Sequence, residues 1–255
     1  MMNRLEAIKK IRNKLSCGNV SIGSWMQLSD SSIAEIMGQS SYDWVAVDQE
    51  HGSIGNHQLP DIFRALELGN TLPLVRLAHG HPKDCKQALD AGAGGVIIPN
   101  IESSGQLQLI LDACKWPPAG VRGVGFSRAN LFGKKFEDYK HEAQQPLIVA
   151  MIESINAVEN LESILGTKGL DAILIGPYDL SASMNITAKF SDKRFINTIN
   201  QIRLLSVKYS VACGIHVVDP DDNLLKNRID EGYQFIAYSL DSVFLSTICE
   251  NPISS

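Results

Sequence analysis

The chain has 255 residues, with 23 Lys and Arg against 28 Asp and Glu, a formal net charge of −5, and no run of basic residues. That balance excludes nucleic acid and an anionic membrane surface as partners, and no apolar stretch approaches the roughly 20 residues that span a bilayer. The five cysteines (Cys17, Cys85, Cys114, Cys213 and Cys249) are odd in number, widely spaced and without a CxxC pair, so they read as reduced thiols and not as a disulfide frame or zinc site. The first residues, Met1-Met2-Asn3-Arg4-Leu5-Glu6, carry an acid and lack an apolar signal core, and the expected location is the cytoplasm.

Taken in order, the chain repeats one unit. Residues 1–19 hold a capping helix, Arg4 to Leu15, with Leu5, Ile8, Ile11 and Leu15 on one stripe. The first strand runs from Val20 to Gln27 and its helix from Ser31 to Gln39, begun by Asp30 or Ser31 as N-cap. Trp44–Val47 and His57–Leu68 form the second pair, Leu72–Leu77 and Pro82–Ala91 the third, with Pro82 at the start and Gly92 at the stop. Gly95–Pro99 and Ser104–Lys115 follow. Trp116 to Gln145 is then a long Pro- and Gly-containing connection where a short one is expected.

The stretch from Pro146 to Met184 is the most informative. Leu147–Ile152 and Leu170–Ile175 fill consecutive positions with apolar residues, as strands buried on both faces do. Between them, Asn156 to Gly166 spaces Val158, Leu161, Ile164 and Leu165 at helical intervals. The two strands are therefore parallel neighbours. The first stops at Glu153 and the second at Asp179, so two carboxylates face one pocket and must share a proton or hold a cation. Ser191–Ser210, Ala212–Val217, Pro220–Asp230, Phe235–Ser239 and Val243–Cys249 complete the alternation. Eight strand–helix units in one even series predict a (β/α)8 TIM barrel with an extra N-terminal helix, as one domain over residues 1–255. An open doubly wound sheet is the alternative.

In such barrels the chemistry stands at the carboxyl ends of the strands. Those ends carry Asp48-Gln49-Glu50-His51-Gly52, Arg76, Pro99-Asn100, Glu153, Asp179, His216 and Asp241. None carries a lysine, which argues against a Schiff-base mechanism.

These residues also carry a resemblance. Asp48 to Gly52, Pro73-Leu74-Val75-Arg76, Gly120 to Gly125, Ile152-Glu153-Ser154 and Ile175 to Met184, in that order across about residues 20 to 245, resemble the HpcH/HpaI aldolase family. Its members are metal-dependent class II pyruvate aldolases that cleave 4-hydroxy-2-oxo acids, 2-keto-3-deoxy sugar acids among them. The resemblance implies Glu153 and Asp179 as metal ligands, His51 as general acid/base, Asp48 as its orienting partner and Arg76 as the group that stabilises the enolate. Asp90 matches an acid that relatives place near the catalytic histidine. Two carboxylates with substrate and water suit Mg²⁺, with Mn²⁺ or Co²⁺ tolerable. Tyr178 is expected to offer its backbone N–H to the substrate carboxylate.

Two positions depart from the family: Gln49 stands where Gly is usual, narrowing the pocket mouth, and Met151 where Gln is frequent. His216 is unusual for its place and a candidate for adjusting substrate choice. His79 and His81 read as solvated loop residues and His57 as a helix-start residue. Gly120 to Arg128 is expected either to reach a neighbouring subunit through Arg122 and Arg128 or to be a surface loop with both arginines solvated. By resemblance the chain is a homo-oligomer, a hexamer built from exchanged terminal helices, with Leu240 to Ile248 taking part. The expected reaction is release of pyruvate and an aldehyde. The alternatives are a citryl- or malyl-CoA-type C–C lyase and a non-catalytic sugar-acid binding protein.

Overall fold

Eight parallel strands follow one another in chain order around a closed barrel: β1 (Ser21–Met26), β2 (Trp44–Asp48), β3 (Leu72–Arg76), β4 (Gly95–Ile98), β5 (Leu147–Ile152), β6 (Ala172–Ile175), β7 (Ala212–Val217) and β8 (Phe235–Leu240). The last returns to pair with β1. This computed structural model describes residues 2–249 and Ile253. Met1, 250–252 and 254–255 of the expected 1–255 domain lie outside the described residues. The barrel and the extra N-terminal helix are as the sequence predicts, and the open sheet is excluded by the β1–β8 pairing.

The helices are α1 (Arg4–Ser16), α2 (Ser31–Gly38), α3 (Leu59–Leu68), α4 (Pro82–Ala91), α5 (Ser104–Cys114), α6 (Phe136–Glu142), α7 (Ile155–Glu159), α8 (Leu161–Leu165), α9 (Pro177–Ser183), α10 (Lys193–Tyr209), α11 (Asp222–Asp230) and α12 (Asp241–Ile248). Asp30 caps α2 by accepting from the Ser32 N–H. Gly92 closes α4 in the left-handed region, φ +106°, where a side chain would be strained. The single helix expected from Asn156 to Gly166 is two short ones, because Asn160 leaves helical geometry between them. A further helix, Pro177–Ser183, follows β6 directly.

Strand alternation decides what reaches the site. Trp44, Ala46, Leu72, Leu74, Leu147, Val149, Met151, Ala172 and Leu174 pack in one interior cluster. Val45, Val47, Val75, Ile148, Ala150, Ile173 and Ile175 pack in another with the helices. The period of two therefore turns Asp48, Arg76 and Glu153 inward at the carboxyl ends of their strands. At the opposite end, Ile8, Ile11 and Leu15 of α1 join that interior cluster and plug the barrel. Trp44 and Phe235 stack there with centroids 4.2 Å apart, and a Cβ at Gly23 would run into the Trp44 ring.

The long connection is folded onto the barrel wall. Arg122, at 3% exposure, donates to the Tyr139 hydroxyl at 3.0 Å and lies over the Trp116 and Tyr139 rings. Arg128 binds Glu67 at 2.8 Å and the Ala91 carbonyl at 2.9 Å. The expectation of solvated arginines is overturned, since each is buried and bound within its own chain. The exposed residues of the segment are apolar: Val121, Val124, Phe126 and Phe132.

Candidate active site

Asp48 is fully buried at the end of β2. It accepts two hydrogen bonds from Arg76 of β3, Nε at 2.8 Å and Nη2 at 2.5 Å, and one from Gln27 Nε2 at 3.1 Å. It also accepts the backbone N–H groups of Glu50 (3.0 Å) and His51 (3.2 Å). Burial opposes its charge, but the bonds and charge of Arg76 outweigh that and hold the carboxyl below its ordinary range. Asp48, expected as the orienting partner of His51, holds the backbone that carries His51 and not the ring. Arg76 is likewise committed, with Nη1 3.1 Å from Glu50 and the guanidinium over the Trp25 ring at 5.1 Å. His51 itself stands exposed in the loop after β2.

Glu153 is 5% exposed and follows β5, whose Ile152 pairs with Ile175 of β6. Its Oε1 accepts the Asn100 N–H at 2.6 Å. Burial, reinforced by the nearby charges of Glu50 and Asp179, pushes its carboxyl up to about 7. Burial also raises Glu50, against the pull of Arg76. Asp179 lies in the first turn of α9, where the sequence places Pro177 at the first helical position. Gly176, before that turn, leaves the space beside Glu153 open: a Cβ there would stand 2.9 Å from Oε2.

A cavity of about 340 Å³ is lined in part by His51, Arg76, Met151, Gly176, Tyr178, Asp179 and His216, with Glu153 packed behind its Gly176 wall. Asp90 is not brought to them. It stands on α4, 3.8 Å from Arg122, with burial raising its carboxyl against Arg122 and Lys86. Gln49 does not narrow the mouth either, since its amide is tied to Asn56 (2.9 Å) and the Ile54 carbonyl (3.3 Å). Asp241 fastens the β1 end by accepting from the Gln27 and Leu28 N–H groups. His81 caps α4, and His79 is exposed in its loop. His57 precedes α3 by two residues.

Trp25 and Gln27 belong to the site and were not singled out from the sequence, and Asn100 was visible at its strand end without a role. The apolar Trp25 carried no signal there, whereas Glu50 was visible as a strand-end acid without a role. Among the described residues no group of three or more His, Cys, Asp or Glu side chains is arranged to hold a metal. A bound cation would thus draw on two carboxylates with substrate and water. The donor set fits one: hard oxygens, with a buried carboxylate whose nearest charged company is mostly negative.

The profile of the HpcH/HpaI aldolase/citrate lyase family matches residues 21–247. The chain belongs to that family. It is an enzyme of the lyase class. It is 32% identical over 241 residues to a hydroxypyruvate/pyruvate aldolase of Roseobacter denitrificans, covering 93% of each chain. It is 33% identical over 240 residues to a 4-hydroxy-2-oxovalerate aldolase of Novosphingobium aromaticivorans, covering 92% of this chain and 89% of that one. A crystal structure of an HpcH/HpaI family protein from Burkholderia cenocepacia superposes with a TM-score of 0.87 at 28% identity, covering 93% and 95%. No helix among the described residues of this HpcH/HpaI protein is long and apolar enough to cross a membrane.

Proposed function

We propose that the chain is a divalent-metal-dependent class II aldolase that cleaves a 4-hydroxy-2-oxo acid to pyruvate and an aldehyde. The observation that carries this reading is Glu153, a carboxylate nine-tenths buried between Glu50 and Asp179 at the end of a barrel strand, with room kept beside it by Gly176. Glu153 and Asp179 would hold the cation, Mg²⁺ by the hardness of the donors, with Mn²⁺ or Co²⁺ as substitutes. When bound, such a cation offsets the charge that develops on the 2-oxo oxygen as the carbon–carbon bond breaks.

The chain's own residues do the rest. His51 takes the proton of the 4-hydroxyl; the C3–C4 bond breaks, its electrons pass to the 2-oxo group as an enolate, and protonation at C3 completes pyruvate. Arg76 adds a fixed positive charge on the pocket wall, held by Asp48 and Glu50 so that it needs no rearrangement during the reaction. Asp48 is a positioning residue for both Arg76 and the His51 backbone. The N–H groups that open α9, that of Tyr178 among them, face the end where a substrate carboxylate is favoured. Asp90 stands outside this chain's own pocket, on α4 beside Arg122. The protein is expected in the cytoplasm and as a homo-oligomer, a hexamer by resemblance. The exposed Val121, Val124, Phe126 and Phe132 support association.

The test is cleavage of a panel of 4-hydroxy-2-oxo acids, followed by pyruvate release, with and without EDTA. Activity is expected to vanish with EDTA and return with Mg²⁺. Glu153→Gln and Asp179→Asn are each expected to lower turnover at least about a hundredfold while the protein stays folded. Full turnover in EDTA, or in either variant, overturns the assignment. Acetyl-CoA released from a citryl- or malyl-CoA thioester with no pyruvate from the panel would decide for the other lyase, and binding without turnover for a binding protein.

A further inference from the structure

His216 sits near the end of β7, between Ile215 and Val217, which pack outward with the helices. Its ring is turned into the barrel and stacks on Trp25 with centroids 5.1 Å apart. Nε2 lies 3.1 Å from the Ser239 carbonyl oxygen of β8. A carbonyl can only accept, so Nε2 carries the proton and donates. Burial, with Arg76 nearby, keeps the ring neutral by lowering its pKa to about 4. Nδ1 is therefore a bare lone pair, and it has no partner among the described residues.

The ring lines two adjoining cavities. One is the 340 Å³ cavity with His51, Arg76 and Asp179. The other, of about 440 Å³, runs out between β7, α10 and α11, walled by Phe195, Ile199, Ile215 and Leu224. Pro177, Tyr178 and Val218 border both. Two of the other polar side chains of the inner wall are already engaged, while the buried Trp25 Nε1 is a donor and cannot serve a substrate hydroxyl as an acceptor. Arg76 is bound to Asp48 and Glu50, and Gln27 to Asp48 and the Ser242 hydroxyl.

On the aldolase reading above, the 2-oxo acid end of the substrate offers only acceptors, and the 4-hydroxyl is taken by His51. A donor that can meet Nδ1 must come from the aldehyde half. We infer that His216 Nδ1 accepts a hydrogen bond from a hydroxyl on the aldehyde-derived half of the substrate, which makes the acceptor a hydroxyaldehyde and not an aliphatic aldehyde. An aliphatic group placed there leaves a buried acceptor without a partner, the arrangement that binding sites discriminate against most strongly.

The test is aldol addition of pyruvate, with Mg²⁺, to glycolaldehyde and to propanal, which differ by a hydroxyl in place of a methyl. The wild type is expected to favour glycolaldehyde in kcat/KM by about tenfold or more. His216→Leu is expected to bring that ratio to near one. His216→Asn, whose Oδ1 falls close to the place of Nδ1, is expected to retain most of the preference. If the wild type joins neither aldehyde to pyruvate, the aldolase reading falls. If it joins both and His216→Leu leaves the ratio unchanged, this inference alone falls, as it does if both rates drop by the same factor. Should His216→Leu fail to fold, a crystal structure with a hydroxylated aldol product decides. A hydroxyl within about 3.2 Å of Nδ1 supports the assignment and none within 3.5 Å overturns it.

Discussion

Gly176 has an ordinary extended backbone, φ −93°, so conformational freedom does not explain a glycine there. Space does: a Cβ would press on Glu153 Oε2 at 2.9 Å and on its Cβ at 3.1 Å. Gly176→Ala is therefore expected to fold but to bind Mg²⁺ at least about tenfold more weakly in calorimetric titration, since a ligand displaced by a few tenths of an ångström loses its geometry. An alanine variant of unchanged affinity would take Glu153 out of the metal site. His216 gives a second expectation at this scale. Folded, it stays neutral down to about pH 4; unfolded, it takes up a proton near its ordinary 6.5. Between those values the unfolded chain binds more protons. The contribution of His216 to stability is thus whole above pH 6.5 and is lost as pH falls toward 4. Urea denaturation at pH 7 and pH 4.5 should show the wild type losing about 2 kcal/mol more between the two than His216→Leu. Equal losses would mean that the ring is charged in the fold.

The long connection between α5 and β5 is held by charges that pair far along the chain. Arg4 of α1 reaches Glu67 of α3 at 3.1 Å and Glu142 of α6 at 2.6 Å, and Arg128 reaches the other oxygen of Glu67 at 2.8 Å. Glu67 is 7% exposed and stands between two buried guanidinium groups. Glu67→Ala leaves both without their shared partner and is expected to cost about 3–5 kcal/mol, read as a lower midpoint in urea. A loss below 1 kcal/mol would mean that water replaces the carboxylate. The same element shows where sequence reading ends. The strands were legible because a strand buried on both faces needs an unbroken apolar run, and the acids beyond them were legible because polar residues interrupt those runs. Leu147–Ile152 with Glu153 is the clearest instance. Arg122 and Arg128 looked free because glycines flank them, while the partners that bury them, Tyr139 and Glu67, lie 17 and 61 residues away. The pairing of Arg76 with Asp48 was equally hidden, for a strand end says which residue faces the pocket but not whether its donors are already taken. Asp90 was legible only as a motif position, and nothing in the sequence showed that within its own chain it stands on α4 beside Arg122.

Across the whole molecule the barrel separates its two ends by chemistry. One end is closed by Ile8, Ile11 and Leu15 of α1 against Leu72, Leu147 and Phe235. The other gathers Asp48, Glu50, Glu153 and Asp179 around a single guanidinium, that of Arg76. Packing can stabilise the first end without help, whereas the second carries surplus negative charge at reduced solvent exposure, which on the proposed reading a cation offsets. Anything that binds only the folded chain raises its stability by mass action, about 2.7 kcal/mol at a hundredfold excess over Kd. For a domain of this length that corresponds to a rise in Tm of roughly 5–10 °C. The wild type is expected to show this shift on addition of Mg²⁺ and to lose it in EDTA. Glu153→Gln is expected to melt higher than the wild type in EDTA, because it removes a buried charge that the Asn100 N–H and the charge of Arg76 offset only in part, and to gain little from Mg²⁺. A wild-type Tm indifferent to Mg²⁺, or a Glu153→Gln protein that gains the full shift, would show that the charge at this end is balanced by something other than a metal ion.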